Sequence, residues 1–228
     1  MVEFRVEAGR PDRHALSRAA AILRDGGVVA YPTDTLYGLA ANPASAAAMA
    51  QLYRIKGRPV DRAVPLIAAG IEQVEAAGGA LGPASRRLAA CFWPGPLTLV
   101  IPAWPGLDAG VHAGRGTVAI RVPDHPVARM LAGACGWPIT STSANRSGGA
   151  ATMDPEEVRR ELGGELDAML DAGPSPGGAP STIVDARGDV PQLLRAGAVP
   201  WDRVLECLQQ GRRHDLRTAA DASRESGS

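Results

Sequence analysis

The chain has little aromatic side-chain mass. Phe, Trp and Tyr make up 4% of its 228 residues, against 27 glycines and 19 prolines. That excludes a base-stacking surface built on aromatic platforms and points to a Val/Leu/Ile/Ala core with many defined turns. Charge of one sign is not in excess either. Lys+Arg and Asp+Glu stand at 24 each, so no global field draws the protein to nucleic acid or an anionic membrane. No apolar run approaches the ~20 residues needed to span a bilayer, and the N-terminal "MVEFRVEAGRPDR" alternates charge and apolar residues, unlike a signal peptide. The expectation is a cytoplasmic protein without a membrane contact.

Cysteine is also scarce. Cys91, Cys135 and Cys207 are odd in number and far apart, and His14, His112, His125 and His214 lack metal-ligand spacing. They read as reduced, buried thiols and no metal site. The common phosphate cradles, G-x-x-x-x-G-K-[ST] and G-x-G-x-x-G after a strand, are missing as well. If the protein binds phosphate, side-chain cations and hydroxyls must do it.

Helical and strand patterns alternate along what is present. Residues 12–27 read as a helix capped by Asp12 and stopped by Gly26-Gly27, "VVAY" as a buried strand, and "ASAAAMAQLYRIKG" as a helix closed by Gly57. "VPLIAA", "LTLVIP", "TVAIRV", "STIVDA" and "QLLRAG" read as strands, and "PITSTS" as one extended run. "PASRRLAACFW", "HPVARMLAGACG", "MDPEEVRREL" and "WDRVLECLQQ" read as helices. With no polar linker to divide them, the expectation is one α/β domain over residues 12–210, with 211–228 a disordered tail.

Several stretches carry chemistry-bearing groups. "YPTDTLYGL" places Thr33, Asp34, Thr35 and Tyr37 at the exit of a buried strand, where α/β proteins bind small ligands. "RIKGRPVDR" sets Lys56, Arg58 and Arg62 within seven residues at a helix end, although Lys56 and Arg58 also suit a helix C-terminus. In "TVAIRV" the period of two puts Val118, Ile120 and Val122 on a core face and Thr117, Ala119 and Arg121 on the other. A buried arginine needs an anion, which a ligand or a structural carboxylate could supply. "PITSTSANRSGG" lines Ser141, Ser143 and Asn145 along one face, and Ser181, Thr182 and Arg195 sit at strand ends.

These blocks, with "WPGPLTLVIP", "TVAIRVPDHP", "STSANRSG", "STIVD" and "LLRAG", resemble in their order the YrdC-like domain of the threonylcarbamoyl-AMP synthase family, over roughly residues 12–200. The resemblance implies a single α/β domain with a twisted mixed β-sheet flanked by helices and a central cationic cavity. It implies a nucleotidyltransferase that joins L-threonine, bicarbonate and ATP into threonylcarbamoyl-adenylate and pyrophosphate. The product serves threonylcarbamoyladenosine modification of ANN-decoding tRNAs. Carried over by position, Thr35, Arg121, Ser141 and Ser181 contact L-threonine. Lys56, Arg58, Arg62, Thr117, Ser143, Asn145 and Arg195 contact ATP, with Lys56 and Arg58 catalytic. Mg²⁺ is expected with ATP. The implied partners are a tRNA threonylcarbamoyl-transferase complex and, more weakly, tRNA itself. The chain departs from many members at Ala68-Ala69, where they carry histidine, and at Pro180, where they carry glutamate. It also ends before the second domain of longer members, so closure over the site is expected from its own loops. Two other classes remain open on the residues: an RNA-binding or ribosome-assembly module using the cavity without turnover, and a carbamoyl-adenylating relative with another acceptor.

Overall fold

Asp12 takes the amide of His14 on its carboxylate (3.0 Å) and so starts the helix Arg13–Arg24 (α1), which buries Ala15, Leu16, Ala19, Ala20 and Leu23. In the computed structural model, which describes residues 1–57, 61–188 and 190–210, it follows the short strand Val2–Arg5 (β1). A hairpin comes next, Val29–Pro32 (β2) and Tyr37–Ala40 (β3), buried at every position. Helix Ala46–Lys56 (α2) is capped by Ser45 and ends at Gly57, whose φ of 58° is a left-handed conformation that glycine adopts without strain. The chain continues through Leu66–Ile67 (β4), Ile71–Ala76 (α3), Pro83–Phe92 (α4), Leu97–Pro102 (β5), Ala109–His112 (α5) and Thr117–Arg121 (β6). It then forms Pro126–Cys135 (α6), Ile139–Thr140 (β7), Thr142–Ser143 (β8), Pro155–Leu162 (α7), Ala168–Asp171 (β9), Thr182–Asp185 (β10) and Gln192–Arg195 (β11). Residues 201–210 are helical.

The strands form two mixed sheets. One has the order β1-β9-β2-β3-β8 and the other β11-β10-β5-β6-β4-β7, each combining parallel and antiparallel pairs. The expected α/β class with helices flanking mixed strands is what is seen, but the single sheet is corrected to two. The division falls inside "PITSTS", read as one continuous run. β7 pairs with β4 in one sheet, β8 pairs with β3 in the other, and Ser141 lies at the crossing. Thr140 makes that crossing possible. Its hydroxyl donates to Leu39 O (3.1 Å) and accepts from Ala41 N–H (2.7 Å), so the last residue of β7 is tied to β3.

The alternation of side chains distributes the core. Val29, Tyr31 and Ala40 pack with Leu16, Leu23, Val127 and Leu131 beneath α1 and α6. Ala30 and Leu39, pointing the other way, join Leu66, Leu99 and Ile120 of the second sheet together with Leu52 and Leu88 from α2 and α4. Burying each Leu-sized side chain there contributes about 1.5–3 kcal/mol, and this inter-sheet layer supports the site.

The cysteine expectation is corrected. Cys91 of α4 and Cys207 form a disulfide, with a Cα separation of 6.7 Å across 116 residues of sequence. That approach comes from docking residues 201–210 on α4, which spacing along the chain does not encode. Cys135 is a buried thiol, its pKa pushed up to about 12 by burial. Among the described residues no helix is long and apolar enough to cross a membrane. The expected tail, 211–228, lies outside the described residues.

Candidate active site

β2 leaves the sheet at Pro32, and the next residues form a turn held by one side chain. The Thr33 hydroxyl donates to Leu36 O (2.7 Å) and accepts the amides of Thr35 and Leu36, both at 3.2 Å. One hydroxyl of "PTDT" is therefore used to fix the loop. The fixed loop delivers Thr35 to a cavity and Asp34 to Arg121.

The cavity has a volume of about 420 Å³, enough for a small polar ligand. Its polar wall comes from separate segments: Thr35 from the β2–β3 turn, Arg121 from the end of β6, Ser141 and Ser143 from the crossing, Ser181 before β10, and Arg195 from β11. Pro65, Leu66 and Ile67 supply an apolar side. Arg121 is 7% exposed, and its Nη1 donates to both oxygens of Asp34 at 2.6 Å. Arg195 donates from Nε (3.0 Å) and Nη2 (2.8 Å) to Ser181 O, and from Nη2 to Ser181 Oγ (2.9 Å). Ser181 Oγ also lies 2.7 Å from the hydroxyl of Thr98. Burial, and then the like charge of Arg121, holds the Arg195 pKa below its usual value. Arg121 and Arg195 thus bring two guanidiniums to one cavity, an arrangement suited to an anion.

A second network lies beside this wall. Lys56, the sole lysine of the chain, is 3% exposed. Its ammonium donates to Ser143 O and Asn145 O, both at 2.6 Å, and to Asn145 Oδ1 at 3.0 Å. Ser143 Oγ donates to the same Asn145 oxygen at 2.5 Å. The Asn145 amide in turn closes the following loop on Arg146 O (2.9 Å) and Gly149 O (2.6 Å). Lys56 and Asn145 thus sit behind Ser143, which reaches the cavity, and are not among its lining residues.

Of the residues expected from sequence, Thr35, Arg121, Ser141, Ser143, Ser181 and Arg195 come together at one cavity, with Lys56 and Asn145 immediately behind. Thr117 and Arg62 are not brought to that wall. Thr117 stands four residues up β6 from Arg121, about 13 Å at a strand's rise. The exposed Arg62 accepts the Tyr53 hydroxyl on its carbonyl (2.8 Å). Arg58 lies outside the described residues. From sequence, Asp34 stood among the hydrogen-bonding groups at the strand exit but without a specific role, and Thr98 was overlooked. Thr98 left a signal, a lone hydroxyl in "LTLVIP", whereas nothing local marks Asp34 as the partner of Arg121, 87 residues away.

The fold and cavity define an α/β protein in which side-chain guanidiniums and hydroxyls from separate segments converge on one cavity. The chain belongs to the Sua5/YciO/YrdC family, whose model, described as telomere recombination, matches residues 21–197. It is similar to the threonylcarbamoyl-AMP synthase of Bacillus subtilis (strain 168), with 40% identity over 190 residues, 83% of this chain and 55% of that protein. A threonylcarbamoyl-AMP synthase of Vibrio vulnificus (strain YJ016) is 39% identical over 184 residues, 80% of this chain and 98% of that protein. The structure of P. abyssi Sua5 complexed with L-threonine matches with a TM-score of 0.85 at 33% identity, covering 91% of this chain and 61% of that one. The chain therefore spans little more than half the length of the Bacillus relative.

Proposed function

We propose that the protein is an L-threonylcarbamoyladenylate synthase, a nucleotidyltransferase that makes threonylcarbamoyl-AMP and pyrophosphate from L-threonine, bicarbonate and ATP. The observation that carries this is the convergence of Arg121, Arg195 and the hydroxyls of Thr35, Ser141, Ser143 and Ser181 on one cavity. The similarity to synthases and to a threonine-bound Sua5 gives that convergence its chemical sense.

The chemistry suits these groups. The amine of L-threonine, once carboxylated by bicarbonate with loss of water, becomes a carbamate. A carbamate oxygen attacks the α-phosphorus of ATP, and the α–β bridging oxygen leaves with pyrophosphate. The carbamate and ATP that meet in this step are both anions, so the demand is for alignment and cationic stabilisation more than for a protein nucleophile. On this reading Arg121, Thr35, Ser141 and Ser181 hold the amino acid. Arg195, Ser143, Arg58, Arg62 and Thr117 belong to the nucleotide side. Lys56 acts there through Ser143 and Asn145, whose oxygens it holds. Mg²⁺ enters as MgATP. Among the described residues no His/Cys/Asp/Glu group of three could hold a metal, and Asp34, beside the cavity, is already paired with Arg121. The adenylate is a mixed anhydride that must be passed on, which fits a tRNA threonylcarbamoyl-transferase complex as acceptor.

The test is pyrophosphate release with ATP and bicarbonate, with and without L-threonine. Threonine-dependent release is the expected result. Its absence, where an active synthase releases pyrophosphate in parallel, refutes the assignment.

A further inference from the structure

We propose that Asp34 is a positioning residue for substrate, acting through Arg121. It holds one nitrogen of the guanidinium so that the remaining edge faces the ligand carboxylate. This rests on the reading of the cavity as an L-threonine site.

Asp34 is not one of the residues lining the cavity, yet both its oxygens are spent on a single atom, Nη1 of Arg121, at 2.6 Å each. Arg121 does line the cavity, and among the described residues neither its Nη2 nor its Nε has a hydrogen-bond partner. A guanidinium has five N–H groups in a rigid fork. Occupying Nη1 from behind leaves the Nη2/Nε side, one of the two faces that match a carboxylate in bidentate fashion. Asp34 is itself fixed, because the Thr33 hydroxyl takes the amides of Thr35 and Leu36 and closes the turn that carries it. One turn therefore gives the site a ligand hydroxyl at Thr35 and a counter-ion at Asp34.

The charge balance explains why a carboxylate is placed so near an anion site. Without Asp34, Arg121 would be a buried cation with neither this counter-ion nor a fixed orientation. With Asp34 the guanidinium is neutralised and oriented before substrate arrives. Binding the ligand carboxylate then needs no rearrangement of the arginine.

The test is calorimetric titration of L-threonine, and of L-threoninol, which lacks the carboxylate, into the full chain and its Asp34→Asn variant. The variant is expected to bind L-threonine about tenfold to a hundredfold more weakly, the scale of a lost charge-assisted contact. The preference for L-threonine over L-threoninol should fall with it. In turnover the L-threonine KM should rise while the ATP KM and kcat change little, a split that a merely structural role would not produce. An unchanged or tighter L-threonine Kd overturns the proposal, since it would mean that Asp34 only competes for Arg121. If Asp34→Asn does not fold, Asp34→Glu decides, because its extra methylene should displace the guanidinium and weaken L-threonine several-fold. An unchanged Kd there overturns the proposal equally. Failure of the wild-type chain to bind L-threonine refutes the functional reading itself, and this inference with it.

Discussion

Replacing Lys56 with methionine keeps the apolar stem and removes the ammonium, so it isolates what that charge does. Three acceptors, Ser143 O, Asn145 O and Asn145 Oδ1, would lose a donor at 2.6–3.0 Å in a site that is 3% exposed. Each lost charge-assisted bond costs about 1.5–3 kcal/mol, offset in part because a buried cation is also removed and because Ser143 O keeps the Asn145 amide (3.0 Å) and Asn145 Oδ1 the Ser143 hydroxyl (2.5 Å), which suggests a net loss of roughly 3–5 kcal/mol. That is a large share of a domain's ~5–15 kcal/mol. At ~2–4 °C per kcal/mol for a chain of this size, Tm should fall by roughly 6–20 °C in differential scanning calorimetry. Below the new transition, threonine-dependent pyrophosphate release should drop by about a hundredfold, as when an electrostatic contact to a phosphoryl group is lost or misplaced. Lys56→Arg should not rescue either property, because a planar fork cannot converge on three oxygens arranged around a point donor. A Tm within about 2 °C of wild type for Lys56→Met would falsify the view that the ammonium organises the Ser143–Asn145 segment.

Breaking the disulfide by Cys91→Ala with Cys207→Ala should cost about 2–4 kcal/mol for so long a loop, read as a Tm lower by roughly 4–16 °C. An unshifted Tm, or free thiols at both positions in the untreated protein, would exclude a structural crosslink. Gly197→Ala would place a Cβ 2.2 Å from Pro180 O and 2.6 Å from Ser181 C. Because Ser181 lines the cavity, the variant should lose about 1–3 kcal/mol and bind L-threonine more weakly. Wild-type affinity in that variant counts against the packing account. His125 is buried with its Nδ1 unpartnered among the described residues, and burial lowers its pKa, opposed by Asp34 and Asp124. The unfolded state therefore binds more protons below its ordinary pKa of ~6.5, so His125 removes stability as pH falls through that range. A His125→Gln variant should show a shallower loss of Tm from pH 7 to 5, and an identical slope would refute the assignment.

Much of this was legible from local pattern. Asp12, Ser45 and Asp154 cap helices where hydrogen-bonding side chains precede apolar periodicity. The alternation of "TVAIRV" correctly divided a core face, Val118, Ile120 and Val122, from the face of Arg121. β1 and β9 escaped notice because they are four residues each and pair with strands far along the chain, and β3 because its four residues follow a hydroxyl-rich turn, although it forms a hairpin with β2. "PITSTS" showed too many hydroxyls for a plain strand but not that it changes sheets, since Thr140 becomes a bridge only when β3 lies beside it.

By itself the sequence determined the chemical inventory and the class: cations and hydroxyls in ordered blocks between alternating helices and strands, enough to specify the family. Tertiary structure alone decided which groups face one another. It paired Asp34 with Arg121, Cys91 with Cys207, and Lys56 with the backbone of residues 143–145. Each of these pairings spans more than 80 residues. Local propensity acts over a few residues, whereas long-range neighbours are chosen by how the two sheets and their helices bury a shared core.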